Sequence, residues 1–190
     1  MTAQQALNLH APSSASPFLK WAGGKGQLLA QLEPLLPPAF GRYVEPFVGA
    51  GALFFHLHNR GLLRHGALLA DANPELMNAY RVVRDAALLP DLLALLRRHA
   101  RHVLDPDYYY RVRAWDREAD FLARRSPVER AARTLFLNHT CYNGLYRLNR
   151  RGEFNVPFGQ WRRPPSLFRE DALLAAHRAL QGAELAEEDF

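Results

Sequence analysis

The stretch from Tyr43 to Gly51 most constrains what this chain can fold into, and it reads Tyr-Val-Glu-Pro-Phe-Val-Gly-Ala-Gly. A short apolar run ends in two glycines one residue apart, and Ala-Leu-Phe-Phe-His-Leu follows with the composition of a helix. The sequence therefore predicts a strand, a tight turn and a helix. Gly49 and Gly51 permit positive φ and a close approach of the backbone to a bound molecule, beside the free N–H groups of a helix N-terminus.

An acidic residue stands at a suitable distance from this turn. Asp71 follows the apolar run Ala-Leu-Leu-Ala and comes twenty residues after Gly51. In nucleotide-binding α/β folds, an acid placed in this way holds ribose hydroxyls. A Gly-x-Gly pair also occurs in ordinary turns, and the dinucleotide fingerprint is not met, because Leu53 and Phe54 stand where its third glycine belongs. The pattern is therefore compatible with a cofactor turn as well as with an ordinary turn, and it is not the dinucleotide fingerprint.

Composition sets further bounds. With 190 residues, of which 48% are hydrophobic, the chain can bury one core and form one domain, or one domain with a small lobe. Its net charge of +5 is compatible with a partner rich in phosphate. Cys141 is the only cysteine, which excludes an internal disulfide and fits a reducing compartment. We expect it to be a buried apolar side chain rather than a nucleophile. No metal site, signal peptide or membrane span is predicted, and residues 1–16 are expected to be a loose tail.

Lysine is distributed unevenly. Of 24 basic residues only Lys20 and Lys25 are lysines, and both lie in the hexapeptide Lys-Trp-Ala-Gly-Gly-Lys. Chance clustering would explain this, and so would sites that need a compact ammonium where a planar guanidinium does not fit.

The order of predicted elements indicates an α/β domain interrupted by an inserted lobe. Strands are predicted at 43–47, 67–70 and 183–186, and helices at 26–36, 52–59, 74–84, 90–102, 106–124, 127–139 and 171–181. The corresponding domain organisation is a cofactor-binding domain over 17–85 and 170–190, with a helical insert over 86–169.

The insert ends in a basic segment without periodicity. Residues 142–163 contain five arginines and one glutamate, interleaved with asparagines and aromatic residues. Arginine binds phosphates and guanine, asparagine binds adenine, and aromatic rings stack on bases or wedge between them. The segment therefore predicts a contact with nucleic acid, although a solvated basic hairpin would have a similar composition.

Four motifs, in this order, closely resemble the Dam-like DNA adenine-N6 methyltransferases. They are Phe-Leu-Lys-Trp-Ala-Gly-Gly-Lys, Val-Glu-Pro-Phe-Val-Gly-Ala-Gly, Leu-Ala-Asp-Ala-Asn and the long run from Asn143 to Gly159. The resemblance covers nearly the whole chain from about Pro17. It implies a Rossmann-like methyltransferase fold, present in part and carrying an inserted helical lobe for DNA recognition, with S-adenosylmethionine as cofactor and double-stranded DNA as substrate.

The resemblance also assigns residues. The cofactor contacts that it implies are Trp21, Lys25, Phe47, Gly49, Gly51 and Asp71, with a shorter match at Asp189 and Phe190. The DNA contacts that it implies are Tyr142, Asn143, Leu145, Arg147, Pro157, Trp161 and Arg162. Arg147 would contact a guanine, while Tyr142 and Asn143 would fill or support the gap left by a flipped adenine. GATC is the expected recognition site.

One motif of the family is not found. Its members use Asp-Pro-Pro-Tyr or a close variant, in which the Asp side chain and a proline carbonyl accept hydrogens from the adenine amine. The run Leu-Asp-Pro-Asp-Tyr from Leu104 is not equivalent, because Asp107 replaces the second proline and the run precedes the basic segment. No catalytic residue is therefore assigned in these 190 residues. A truncated gene, a split enzyme completed by a second polypeptide, and a decayed remnant are all compatible with this.

The predicted function is thus site-specific adenine-N6 methylation of DNA, as in restriction-modification, in the cytoplasm and at the nucleoid through DNA binding. We expect this chain to be inactive without the catalytic segment. A non-catalytic DNA-binding protein is the main alternative, and an unrelated nucleotide-binding protein is a third.

Overall fold

The computed structural model describes residues 14–188, which contain a three-stranded parallel sheet with the strand order β1-β2-β3. The strands are β1 (Tyr43–Glu45), β2 (Ala67–Ala70) and β3 (Ala183–Ala186). Leu68 of β2 lies opposite Val44 of β1 and Glu184 of β3. Helices and parallel strands alternate, so the fold belongs to the α/β class, as the sequence predicts.

The described part of the chain also contains eight α-helices. They are α1 (Leu29–Leu32), α2 (Ala52–Asn59), α3 (Pro74–Arg84), α4 (Leu89–Ala100), α5 (Pro106–Arg113), α6 (Phe121–Arg124), α7 (Pro127–Thr140) and α8 (Glu170–Leu180).

Local capping explains where two of the longer helices begin. The side chain of Asn73 accepts hydrogen bonds from the N–H groups of Glu75 and Leu76, and Pro74 occupies the first helical position of α3. Ser126 and Glu129 form a capping box at the start of α7. These signals are local, which is why the sequence predicts both helix starts correctly.

One continuous hydrophobic core holds the sheet and the helices together. The middle strand β2 is almost wholly apolar, as expected for a strand covered on both faces, and Leu69 is fully buried. Helix α3 packs along α7 and also contacts α8. Leu69 and Leu135 of α7 belong to the same buried cluster, so the helices between residues 86 and 140 pack on the core that the strands also use.

Two predicted elements near the start of the fold differ from the structure. The first strand ends at Glu45 rather than at residue 47, since Pro46 has no N–H to donate to a ladder. The predicted helix 26–36 consists of a 3₁₀ turn at Lys25–Leu28, helix α1, and a second 3₁₀ turn at Glu33–Leu35 that contains Pro34.

The predicted helix 106–124 is also wrong as a single element. It divides into α5, a 3₁₀ turn at Ala114–Arg117, and α6. The Asp116 carboxylate accepts a hydrogen bond from the Phe154 N–H at 2.7 Å and pairs with Arg133 at 2.8 Å. Asp120 then takes a left-handed conformation with φ of 57°. Contacts with distant residues therefore override the local helical preference.

The predicted tail lies mostly outside the described residues. Ala15, near its end, is buried and exchanges two hydrogen bonds with the Asn59 side chain, at 3.0 Å and 2.8 Å. This end of the tail therefore packs on α2. No helix within residues 14–188 has the length and apolar character required to cross a membrane.

Candidate functional site

The glycine turn joins β1 to α2 and is closely packed. Gly49 and Gly51 have φ of 50° and 68°, and the Gly51 N–H donates to the Val48 carbonyl at 2.8 Å. A Cβ on Gly49 would lie 2.8 Å from Cδ1 of Trp21, and one on Gly51 would lie 2.6 Å from the Tyr80 hydroxyl oxygen. Both positions therefore require glycine for conformation and for space.

Asp71 and Tyr80 hold this turn from two sides. One Asp71 oxygen accepts a hydrogen bond from the Gly49 N–H at 3.1 Å, and the other accepts from the Asn73 N–H at 3.0 Å. The buried Tyr80 hydroxyl donates to the Gly49 carbonyl at 3.0 Å. Burial, reinforced by the charges of Glu45 and Asp71, raises the pKa of Tyr80, so it stays a protonated donor.

The first loop faces the turn across a cavity of about 330 Å³. This volume is within the range of small-molecule and cofactor sites, roughly 300–1,000 Å³. Its lining includes every described residue that the sequence predicts to contact cofactor, namely Trp21, Lys25, Phe47, Gly49, Gly51 and Asp71. Two further predicted contacts, Asp189 and Phe190, lie outside the described residues.

The cavity also contains a buried acid that the sequence does not mark as a site residue. Glu45 is 5% exposed, pairs with the Lys25 ammonium at 3.1 Å and accepts a hydrogen bond from the Tyr43 hydroxyl at 2.8 Å. Burial and the neighbouring Glu45 charge raise the pKa of Tyr43, which keeps that hydroxyl a donor. The acid within Val-Glu-Pro-Phe at the end of an apolar strand is the available signal, because strand ends border sites in α/β sheets.

The two lysines occupy different positions. Lys25 reaches Glu45 in the cavity. The stem of Lys20 packs so closely on Gly144 that a Cβ there would lie 2.6 Å from Lys20 Cδ, while its ammonium lies 5.4 Å from the centroid of the Trp161 ring. Both contacts suit a slender side chain with a compact charge.

Most of the basic segment forms an irregular antiparallel hairpin over residues 141–159, here called the recognition hairpin after the role that the sequence predicts for it. Cys141 pairs with Phe158, and Leu148 pairs with Phe154. The Asn155 N–H donates to the Arg147 carbonyl at 3.0 Å. At the hairpin tip, the Asn149 side chain accepts hydrogen bonds from the N–H groups of Arg151 and Glu153.

The residues predicted to contact DNA lie at or near the surface of this hairpin and of the segment that follows it. Asn143 takes positive φ of 54° in the short 3₁₀ turn at Tyr142–Gly144. The Arg147 guanidinium is oriented by the Asn155 side chain at 2.7 Å. Trp161 is half-buried, with its indole N–H bonded to the Thr140 carbonyl at 2.8 Å. The exposed members of the predicted set are Tyr142, Asn143, Leu145, Arg147, Pro157 and Arg162.

The arginines of the basic segment, residues 142–163, differ in their ion pairing from those of the rest of the fold. Elsewhere, many arginines pair with carboxylates, as Arg125 does with Glu118 and Arg130 with Glu75. Within residues 14–188, none of the five arginines of the basic segment forms an ion pair. The five are Arg147, Arg150, Arg151, Arg162 and Arg163. Their charge is therefore available to an external anion.

Trp21, which lines the cavity, also packs against the recognition hairpin. The Trp21 ring stacks on Tyr146, with centroids 5.0 Å apart and an interplanar angle of 29°. The side chain of Asn138 bonds to both backbone groups of Lys20 and to the Gly144 carbonyl. The sequence predicts neither Tyr146 nor Asn138 as a site residue, because it gives no signal for a contact between segments so far apart.

Two other candidates carry no site chemistry. The Cys141 thiol is fully buried, as predicted, and burial raises its pKa to about 11, which disfavours the nucleophilic thiolate. Asp105 of the rejected Asp-Pro-Asp-Tyr run caps α5 by accepting a hydrogen bond from the Tyr108 N–H at 2.9 Å. In the described part of the chain, no cluster of three or more His, Cys, Asp or Glu side chains is arranged to hold a metal ion.

Comparison with known proteins identifies the family to which the chain is similar. A family model described as D12 class N6 adenine-specific DNA methyltransferase matches residues 21–190. The type II methyltransferase M.MjaIII of Methanocaldococcus jannaschii is 39% identical over 186 residues, covering 92% of this chain and 62% of that relative.

Two further relatives give similar values. The type II methyltransferase M1.LlaDCHI of Lactococcus lactis subsp. cremoris is 40% identical over 81% of this chain and 51% of its own length. A DNA adenine methylase of Haemophilus influenzae is 39% identical over 86% of this chain and 53% of its own length. The chain thus spans between 51% and 62% of the length of these three relatives.

Proposed function

The chain belongs to the D12 class of N6 adenine-specific DNA methyltransferases, and on this premise we propose that the protein transfers a methyl group from S-adenosylmethionine to the N6 atom of adenine in duplex DNA. The observation that carries the proposal is the stack of Trp21, which lines the cavity, on Tyr146 of the recognition hairpin. A methyl donor and a DNA base must meet, so their binding surfaces must be adjacent.

The cavity fits S-adenosylmethionine in size and in polar groups. When bound, this cofactor supplies an electrophilic methyl group on a sulfonium. Asp71 would accept hydrogen bonds from the two ribose hydroxyls, since each carboxylate oxygen has a second lone pair beside the one that it already uses. The bare backbone at Gly49 and Gly51 would lie under the sugar and the methionine part, with Trp21 and Phe47 as the apolar walls.

The Lys25–Glu45 pair complements the amino-acid end of the cofactor. An α-amino acid carries a carboxylate and an ammonium group. The Lys25 ammonium would face the carboxylate, and the Glu45 carboxylate would face the ammonium group. The two side chains lie 3.1 Å apart. Glu45 is buried and Lys25 is partly exposed at the cavity. A zwitterion placed across this pair would form charge-assisted hydrogen bonds with both side chains.

The recognition hairpin supplies the surface for DNA. Its unpaired arginines would neutralise phosphates, and the oriented Arg147 would bind a guanine edge in the major groove. Leu145 and Pro157 are exposed apolar groups of the kind that contact a thymine methyl. Tyr142 and Asn143 would occupy the gap left by a flipped adenine, while Trp161 and Arg162 extend the surface. We propose GATC as the recognition sequence.

This assignment divides the chain by task. Residues 17–85 and 170–190 would bind the cofactor, and residues 86–169 would carry the recognition segment. No Asp-Pro-Pro-Tyr occurs in the 190 residues, so the residues named here bind and orient the two substrates. In members of the family with that motif, its side chain and carbonyl oxygens accept hydrogens from the adenine amine.

A methylation assay tests the proposal. A GATC duplex is incubated with methyl-labelled S-adenosylmethionine and the protein, alone and together with a polypeptide that carries an Asp-Pro-Pro-Tyr segment. Label in the DNA at adenine N6, absent from a duplex with GTTC in place of GATC, would support the proposal and its sequence specificity. An absence of label in both arms would refute the methyltransferase function.

A non-catalytic DNA-binding role is the second candidate, favoured by the same unpaired arginines. It requires a salt-sensitive shift of the duplex in a gel with no labelled product in either arm of the assay. A protein acting on DNA in this way would work in the cytoplasm, at the nucleoid.

A further inference from the structure

Tyr146 belongs to the recognition hairpin, but its ring packs toward the cavity. Its neighbours Leu145 and Arg147 are exposed, whereas Tyr146 is partly buried and stacks on Trp21 at 5.0 Å. Trp21 in turn lies against Gly49, close enough that a Cβ on this glycine would be 2.8 Å from the indole ring. A continuous set of packed groups therefore runs from the hairpin to the glycine turn.

Tyr146 also lies close to the loop after β2, in which Asp71 lines the cavity. The side chain of Asn73 lies next to the Tyr146 hydroxyl, and the Asn73 backbone N–H donates to an Asp71 oxygen at 3.0 Å. Burial raises the pKa of the Tyr146 hydroxyl, so the group remains neutral in this contact. Tyr146 thus contacts, directly or through one residue, both Trp21 and the acid proposed to hold the ribose.

A buried amide fixes the spacing of the two segments beside this stack. The Asn138 side chain accepts from the Lys20 N–H at 2.7 Å and donates to the carbonyls of Lys20 and Gly144, at 2.8 Å and 3.2 Å. Lys20 precedes Trp21, and Gly144 lies two residues before Tyr146. Because Asn138 is only 1% exposed, its side chain is shielded from water, and this favours a fixed spacing between the two segments.

We propose that Tyr146 is a positioning residue that couples the cavity to the recognition hairpin, so that cofactor and DNA each strengthen the binding of the other. This inference rests on the proposed function. A ligand that fixes Trp21 and Asp71 also restricts Tyr146, and through it the adjacent Arg147. The second ligand then has less ordering to impose, which is sufficient for positive coupling without a large structural change.

The test is a binding cycle with S-adenosylhomocysteine and a GATC duplex. The Kd of each ligand is measured with and without the other, by calorimetry for S-adenosylhomocysteine and by fluorescence anisotropy for the duplex. We expect the unsubstituted protein to show a coupling of about 5-fold or more, equal when measured from either ligand. In Tyr146→Leu the coupling should fall to within about 2-fold of unity.

Two further variants define the source of the effect. Tyr146→Phe keeps the ring stack and loses the contact with Asn73, so its coupling should be reduced at least about 2-fold and remain above that of Tyr146→Leu. Tyr110→Leu is the matched control, since Tyr110 is a partly exposed tyrosine of α5 whose ring packs on Tyr109 and Arg113 and not on a residue that lines the cavity. Its coupling should equal that of the unsubstituted protein.

The outcomes separate this proposal from the proposed function. If the unsubstituted protein binds neither ligand, the proposed function has failed. If it binds both without coupling, or if Tyr146→Leu binds both with undiminished coupling, the positioning role is refuted. A merely structural role would weaken each ligand and leave the coupling ratio unchanged, which also refutes it. Thermal unfolding tests whether Tyr146→Leu is folded. If this variant is unfolded, Tyr146→Phe provides the test, and an undiminished coupling between the two ligands in Tyr146→Phe overturns the proposal.

Discussion

The Asp71 carboxylate accepts a hydrogen bond from the backbone N–H of Gly49 at 3.1 Å, and this bond joins the end of β2 to the turn that follows β1. The same side chain holds the N–H of Asn73 at 3.0 Å, at the start of α3. Asp71 therefore shapes the glycine turn in addition to presenting lone pairs to the cavity. The two tasks make it the most informative position for a substitution.

Replacement of Asp71 by alanine should weaken binding of S-adenosylhomocysteine by about 2 kcal/mol or more, or roughly 30-fold, because hydrogen bonds to a charged acceptor are lost. Binding of the GATC duplex in the absence of cofactor should change by less than about 3-fold, since Asp71 does not lie on the hairpin. Asp71→Asn is the matched variant, because it retains one oxygen acceptor and should give an intermediate loss. Calorimetry and anisotropy measure the two affinities. Equal losses for both ligands in a folded Asp71→Ala protein would contradict this division.

Arg147 and Arg163 should affect DNA binding in different ways. The Asn155 side chain orients Arg147, so Arg147→Ala should cost about 1–3 kcal/mol on a GATC duplex and much less on a duplex lacking the site. Arg163 is exposed in the segment that follows the hairpin, where it suits a phosphate contact, so Arg163→Ala should weaken both duplexes equally and lower the salt slope by about 1. Anisotropy titrations at several salt concentrations measure both quantities. A uniform loss across sequences in Arg147→Ala would show that Arg147 binds phosphate and not a base.

Local signals explain why much of the fold is predictable from the sequence. Helices α2 and α3 have the predicted bounds, and so do strands β2 and β3, because glycines, Asn73-Pro74 and short apolar runs mark their ends. The helix predicted over 106–124 is wrong because its interruption depends on Asp116, which bonds to Phe154 from the hairpin. Such a contact, between residues distant in the chain, leaves no periodic trace.

In the site, too, local sequence signals are predictable and contacts between distant residues are not. The residues around the glycine turn are predictable, because Trp21, Lys25 and Asp71 stand in recognisable motifs. Their arrangement is not, since the bond from Gly49 to Asp71 and the stack of Trp21 on Tyr146 depend on how strands and loops meet in space. Glu45 escapes prediction for a related reason, as a carboxylate within an apolar strand can be recognised as a site residue only when its burial and its partner Lys25 are known.

Gly51→Ala should destabilise the protein by at least about 2 kcal/mol, because left-handed strain adds to overpacking. A Cβ at this position would lie 2.6 Å from the Tyr80 hydroxyl oxygen and 3.3 Å from the Phe55 ring, and both side chains are buried. Gly61→Ala is the matched control, since Gly61 has a similar φ of 65° and, within the described part of the chain, a Cβ there would meet no atom within 4 Å. The free energy of unfolding of Gly61→Ala should be lower than that of the unsubstituted protein by only about 1 kcal/mol. Urea unfolding gives both values, and equal losses would show that the packing around Gly51 yields easily.

His99 should make the stability of the fold depend on pH. It is 4% exposed, stacks on Phe136 at 4.9 Å and contacts the Tyr108 hydroxyl through Nδ1 at 2.8 Å. Burial, together with the charges of Arg98 and His102, lowers its pKa from 6.5 to about 4. Between these values the unfolded chain binds a proton that the folded protein does not, so acidification from pH 6.5 toward 4 favours unfolding. At pH 5 this contribution is about 2 kcal/mol.

His99→Gln removes the titrating group, so its free energy of unfolding should fall about 2 kcal/mol less between pH 7.5 and 5 than that of the unsubstituted protein. The exposed His65→Gln variant controls for the loss of a surface histidine, and urea unfolding at the two pH values measures the difference. Parallel pH profiles for His99→Gln and the unsubstituted protein would show that the folded state accommodates a charged His99.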